Sequence, residues 1–208
     1  MYNDFGKRFF DFIFSLMFII LFFWLYLLLF IAVKHNLGSP VFFRQVRPGK
    51  NETLFNLYKF RTMSDKKDDK GNLLPDCDRV TKLGSWLRNT SLDELPEMFN
   101  ILKGDMSFIG PRPLLVRYLP YYNEKERLRH SVRPGLSGLS QVNGRNNLDW
   151  ETRFSYDIQY AQNISLSLDL EIFFKTIYKV LNKKDVVIRE NNQLDDFDVY
   201  RRKQLGNK

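Results

Sequence analysis

Asp93 and Glu94 stand side by side in Ser91-Leu92-Asp93-Glu94-Leu95-Pro96, and Arg112 follows between two prolines in Gly110-Pro111-Arg112-Pro113. Adjacent carboxylates can divide labour. One acts as nucleophile or base while the other offers a hard oxygen to a cation such as Mg2+, which takes only one or two protein carboxylates. A carboxylate that attacks a phosphorus centre meets like-charge repulsion, so it needs a metal ion or an Arg/Lys clamp. Lys59, Arg61, Arg88 and Arg112 are the candidate clamp cations. An Asp-Glu dipeptide alone carries almost no information, and its weight comes from that company.

The elements that must position these groups are short. Pro96 suits the first turn of a helix, and Met98, Phe99, Ile101 and Leu102 give that helix a buried side until Lys103-Gly104 ends it. Asp93 and Glu94 then lie just outside a helix N-terminus, where free N–H groups favour anions. The plain alternative is a capping box, Ser91-x-x-Glu94, in which Glu94 only satisfies backbone donors. Pro96 counts against it, because in a helix capped at Ser91 its ring would clash with the carbonyl of Leu92. Upstream, Val80, Leu83, Trp86 and Leu87 recur at helical spacing, predicting a helix over 78–89 that carries Arg88. Residues 41–45 and 53–63 read as two strands around the turn Arg47-Pro48-Gly49-Lys50. Lys59 and Arg61, two apart, would share a strand face, either as phosphate ligands or as a solvated basic surface.

The chain of 208 residues has room for one ordinary domain and an appendage, and its 32 Lys+Arg against 24 Asp+Glu give +8. Anionic partners fit that charge: phosphorylated metabolites, lipid headgroups or nucleic acid, although no nucleic-acid module is recognisable. The single Cys77 rules out an internal disulfide, and His35 and His130 stand too far apart in sequence to suggest a His-based metal site. Residues 12–33 run 22 positions without a charge, Gly or Pro. A straight helix of that length, ~33 Å, matches a ~30 Å hydrocarbon core. We therefore expect an anchor over 1–40, a catalytic domain over 41–189 and a polar, disordered tail over 190–208. The expected fold class is α/β, α-rich with a small sheet. A doubly wound fold is excluded because no strand runs into a Gly-rich fingerprint.

In the C-terminal half, 118–129 reads as a short aromatic and charged surface helix, and 133–138 as a loop. Arg145 sits in turn chemistry and is either a surface residue or a phosphate ligand. Residues 149–161 read as a helix. Leu170, Phe173, Ile177 and Leu181 make one apolar stripe, for packing on the core or for lying in a lipid leaflet as an amphipathic interfacial helix.

Lys59-Phe60-Arg61-Thr62-Met63, Ser91 to Pro96, Lys103-Gly104-Asp105-Met106-Ser107, Gly110 to Pro113, and Arg133-Pro134-Gly135 through Gln141-Val142-Asn143-Gly144-Arg145 occur in one order. Together they resemble the bacterial sugar transferase family, the small monotopic polyprenyl-phosphate phosphoglycosyl transferases. The resemblance implies a two-step reaction at the cytoplasmic face of the bacterial inner membrane. Asp93 would attack the β-phosphorus of a UDP-sugar, release UMP and become an aspartyl-phosphosugar. Undecaprenyl phosphate would then accept the phosphosugar. It implies Mg2+ held by Glu94 and Asp93, and phosphate-binding roles for Lys59, Arg61, Arg88, Arg112 and Arg145. It also implies a re-entrant N-terminal helix broken by Ser-Pro. Here the matching place reads Leu21-Phe22-Phe23-Trp24-Leu25; without a breaker local physics favours a straight helix, and of the two we expect the re-entrant one that the resemblance implies. Two other classes compete: a non-catalytic basic protein on a membrane anchor, and a Mg-dependent phosphohydrolase with water as acceptor. The first leaves the carboxylate pair unexplained, and the second leaves the anchor idle.

Overall fold

The computed structural model describes residues 2–144, 148–182 and 195–206. The apolar run forms two helices, α1 (Lys7–Leu21) and α2 (Phe23–Leu37), inclined by 65°. The straight helix that local preference predicts is therefore broken at Phe22, which leaves helical geometry at φ −101°, ψ 15°. The break costs little backbone bonding: Phe22 N–H still reaches Phe18 O at 3.0 Å, and Leu25 N–H reaches Phe22 O at 2.9 Å. Tertiary packing explains it. Helix α1 buries a polar stripe four residues apart, Lys7, Asp11 and Ser15. Lys7 Nζ meets Asp169 Oδ2 at 2.5 Å, while Asp11 accepts from Ser107 Oγ and Phe108 N–H, both at 3.1 Å. Helix α2 instead buries Tyr26, Leu29 and Val33 against Val41, Phe60 and Leu87. The two docking surfaces belong to different parts of the domain, and the bend serves both. Among the described residues no single helix is long and apolar enough to cross a membrane.

Strands β1 (Phe42–Pro48) and β2 (Leu54–Phe60) form the expected antiparallel hairpin, with Phe42 opposite Phe60 and Arg47 opposite Phe55. The face bearing Phe55, Leu57 and Lys59 lies on α5 (Glu97–Lys103), where Phe55 and Leu57 pack on Met98 and Ile101. Buried Asn100 stitches the two together: its Oδ1 accepts from Tyr58 N–H at 3.1 Å and its Nδ2 donates to Asn56 O at 2.7 Å. The helix expected over 78–89 divides into α3 (Asp76–Arg79) and α4 (Lys82–Asn89), because Val80 is extended and Thr81 Oγ1 caps α4 by accepting from Gly84 N–H at 3.0 Å. A Cβ on Gly84 would fall 1.9 Å from Thr62 O, so only glycine lets α4 lie this close to the chain leaving β2. Helix α5 follows Pro96 and ends at Gly104 (φ 97°), within a residue of the sequence reading.

Residues 133–138, read from sequence as a loop, contain β4 (Gly135–Ser137), which pairs in parallel with β3 (Ser107–Ile109). The pairing depends on absent side chains, since a Cβ on Gly135 would sit 2.1 Å from Gly110 N. Strand β3 thereby delivers Pro111-Arg112-Pro113 at a fixed place. The remaining helices are α6 (Glu124–Arg127), α7 (Leu139–Asn143), α8 (Trp150–Gln162), α9 (Leu166–Leu181) and α10 (Phe197–Gly206). Of the tail expected to be disordered over 190–208, residues 195–206 are described and carry helix α10, while the rest lies outside the described residues. The composition of this helix is polar, but Phe197 is fully buried among Tyr118, Tyr122, Trp150 and Phe154, and one aromatic suffices to dock a short helix. On α9 the core takes Ile172, whereas Leu170, Phe173, Phe174 and Ile177 stay exposed. The architecture is α-rich with two two-stranded sheets, in line with the expected class.

Candidate active site

Asp93 and Glu94 sit in a 3-10 turn, Leu92–Glu94, that leads through Pro96 into α5. The capping box does not form. Ser91 is left-handed (φ 56°) and its side chain caps nothing, which frees Glu94 for other partners. Glu94 Oε1 receives Lys59 Nζ at 2.5 Å from β2 and Arg112 Nη2 at 2.8 Å from the segment after β3. Lys59 Nζ also lies 3.2 Å from Glu97 Oε1, on the first turn of α5. Asp93 exposes 9% of its surface and, among the described residues, is acted on by neighbouring charges rather than by hydrogen-bond donors. A buried carboxylate without donors is costly, and such groups concentrate where chemistry is done.

Electrostatics separate the three acids. Burial, then the charge of Glu94, push Asp93 up to about 6, against the pull of Lys59, Arg88 and Arg112. For Glu94 burial works upward too, but Arg112 and then Lys59 overcome it and hold the carboxyl well below the usual range. Glu97, buried and beside Glu94, is pushed up to about 7. At neutral pH Asp93 is thus an ionised, poorly solvated carboxylate next to a partner whose charge is already matched. That is the state of an activated oxygen nucleophile with a pKa near the working pH.

The family model for bacterial sugar transferases matches residues 2–183. The chain belongs to that family. It is 55% identical over 150 residues to EpsL of Bacillus subtilis, a protein named as an uncharacterized sugar transferase, covering 72% of this chain and 74% of that protein. It is 40% identical over 189 residues to the exopolysaccharide production protein ExoY of Rhizobium meliloti, covering 83% and 84%. It is 43% identical over 183 residues to a UDP-glucose:undecaprenyl-phosphate glucose-1-phosphate transferase of Klebsiella pneumoniae, covering 83% of this chain but only 39% of that longer protein.

Within this transferase the structure gathers Asp93, Glu94, Lys59 and Arg112. Arg88 bonds Thr62 Oγ1 through Nε at 3.0 Å and still acts electrostatically on Asp93. Arg61 turns elsewhere: β2 ends at Phe60, so the two-residue alternation lapses. The Arg61 guanidinium instead closes the end of α2, on Leu37 O and Ser39 O, and meets Asp65 at 3.2 Å. Arg145 lies outside the described residues. Three site neighbours escaped sequence reasoning: Glu97, three residues beyond Glu94 on the buried side of α5; Arg47, read only as a turn residue; and Arg129. Buried Arg129 donates Nη2 to Arg112 O at 2.8 Å and so fixes the backbone of the clamp. The register Arg47↔Phe55, once two strands are assigned, could have placed Arg47 on the Lys59 face.

Proposed function

We propose that this transferase moves a sugar 1-phosphate from a UDP-sugar to undecaprenyl phosphate in two steps, working on the cytoplasmic face of the bacterial inner membrane. One observation carries the reading: Asp93 is buried, without a hydrogen-bond donor among the described residues, beside a Glu94 locked by Lys59 and Arg112. The printed activity of the Klebsiella relative supports it. An Asp93 oxygen attacks the β-phosphorus, the bond from that phosphorus to the bridging oxygen breaks, and UMP leaves with the electron pair. An oxygen of the lipid phosphate then attacks the same phosphorus and returns Asp93 to a carboxylate. Lys59 and Arg112 hold Glu94 in place and face the phosphoryl oxygens as their charge redistributes.

Among the described residues no three His, Cys, Asp or Glu side chains converge as a metal cage. Mg2+ does not need one, since it binds through one or two carboxylates together with substrate phosphates. Among the described residues Asp93 meets no hydrogen-bond donor and both cations close on Glu94 Oε1, leaving Oε2, so these two side chains fit that mode. When bound, Mg2+ would offset the negative charge of the diphosphate.

Two apolar surfaces support the membrane placement. The bent pair α1–α2 exposes Phe14, Met17, Ile20, Trp24, Leu28 and Ile31, and α9 exposes Leu170, Phe173, Phe174 and Ile177. Surfaces of this size ordinarily meet a partner or a bilayer. The 65° bend suits a re-entrant anchor that enters and leaves on one side.

The test is UMP release by the detergent-solubilised protein with Mg2+, undecaprenyl phosphate and a panel of UDP-sugars. The proposal expects stoichiometric UMP and lipid-linked sugar, with Asp93→Asn slower by more than about 10³-fold. UMP release without lipid-linked product, sustained over many turnovers, would replace the transferase by a hydrolase.

A further inference from the structure

The cations around Glu94 are not equally matched. Lys59 and Arg112 each have a carboxylate within 3.2 Å, and Arg129 has Asp157. Arg47 has none among the described residues. Its one bond runs from Nη2 to the neutral Gln45 Oε1 at 2.6 Å, and its Nε is buried without a partner. A guanidinium in this condition is incomplete, because buried donors are normally paired and buried charges matched.

Its position is informative. Arg47 lies opposite Phe55, and so shares with Phe55, Leu57 and Lys59 the hairpin face that packs on α5. Pro48 and Gly49, the next two residues, line a water-sized cavity of about 10 Å³ together with Arg112, Arg129 and His130. The charge nearest in effect to Arg47 is Arg112, a like charge, followed by Glu97 and the hydroxyls of Tyr118 and Tyr122. Along that face Lys59, which bonds Glu94, and Phe55, opposite Arg47, stand four positions apart, and Arg47 feels the like charge of the Arg112 that bonds Glu94 from the other side. Burial and then the like charge of Arg112 lower Arg47 to about 10. An anion seated between them would relieve that repulsion and supply the missing acceptor.

We propose that Arg47 is a donor-binding residue which, with Arg112, holds the phosphate of the leaving nucleotide. This rests on the reaction proposed above. If Asp93 takes the β-phosphorus, the α-phosphate lies beyond the Glu94–Arg112 pair as seen from Asp93, on the side where Arg47 waits. Lys59 serves the transferred phosphoryl group and Arg47 the departing one.

The experiment measures UMP affinity by isothermal titration calorimetry on the full-length protein in detergent with Mg2+, for wild type, Arg47→Gln and Arg47→Lys. Melting temperature is recorded for each, with kcat and KM on whichever UDP-sugar the wild type turns over. Loss of one charge-assisted contact should weaken UMP and raise donor KM about tenfold or more in Arg47→Gln. Arg47→Lys should fall between, with melting temperature little changed. UMP affinity and KM at wild-type values in Arg47→Gln would overturn the assignment, as would a loss of affinity that merely follows a fall in melting temperature and is identical in Arg47→Lys. If the wild type releases UMP from a donor while Arg47→Gln is unaffected, only this assignment falls. If the wild type neither binds nor releases UMP, the proposed reaction falls with it.

Discussion

Two buried aspartates, on either side of Arg112, have opposite fates. Asp157 on α8 exposes 1% of its surface and is saturated: Oδ2 accepts Arg129 Nε at 3.0 Å and Nη2 at 2.8 Å, and Oδ1 accepts Ser140 Oγ at 2.8 Å. Asp93 is buried almost as deeply and, among the described residues, meets only charges and no hydrogen-bond donor. Asp157 spends its charge on structure, tying α8 and α7 to the Arg129 that fixes the Arg112 backbone. Asp93 keeps its charge available, held in a field of Lys59, Arg88 and Arg112 that offsets part of its burial cost. Of the two, the candidate nucleophile is the one whose charge no described donor has taken up.

That contrast can be broken or sharpened by substitution. Arg129→Met should be the most damaging to the fold. It strands Asp157 as an unpaired buried charge and should lower unfolding free energy by about 3–5 kcal/mol in denaturant titration, whereas Arg129→Met with Asp157→Leu should recover much of the loss. Asp93→Asn should act in the opposite direction. The folded pKa of Asp93, about 6, lies above its unfolded value, so the folded state binds the extra proton between them. Its contribution favours folding in acid and is lost as pH rises through 6. At pH 7.5 the neutral Asn should therefore melt higher than wild type, by about 1–3 kcal/mol of stability, an advantage that vanishes near pH 4. An Asp93→Asn protein less stable than wild type at pH 7.5 would mean Asp93 is as well bonded as Asp157. The same pKa sets the pH profile: the rate of UMP release should fall about tenfold per unit below pH 6 and level off above it. Ser140→Ala, removing one bond from a carboxylate that keeps two others, should cost only about 1 kcal/mol in the same titration.

Much of the site was legible because its logic is local. Pro96 placed the start of α5, Lys103-Gly104 its end, and the alternation through Lys59 the strand facing it. Legibility failed where distant contacts decide. Nothing between Leu21 and Leu25 breaks a helix, yet α1 turns its Lys7, Asp11 and Ser15 stripe to the domain while α2 turns Tyr26 and Leu29, and the chain bends between them. The four-residue spacing of that stripe was visible in the sequence but outweighed by the apolar run around it. Arg61 was misplaced because its strand stops one residue short. The composition of 190–208 averaged away Phe197, the single side chain that docks α10.

In the proposed reaction Asp93, which meets no hydrogen-bond donor among the described residues, forms a bond to phosphorus. The most direct measurement is intact-protein mass spectrometry after mixing the solubilised protein with Mg2+ and UDP-sugars in the absence of lipid acceptor. The account predicts a mass increase of one phosphosugar, localised to the peptide bearing Asp93, absent in Asp93→Asn and discharged by undecaprenyl phosphate. UMP release that occurs only when lipid phosphate is present, with no adduct at any time in a protein that turns over, would contradict it and reduce Asp93 to a base or a metal ligand.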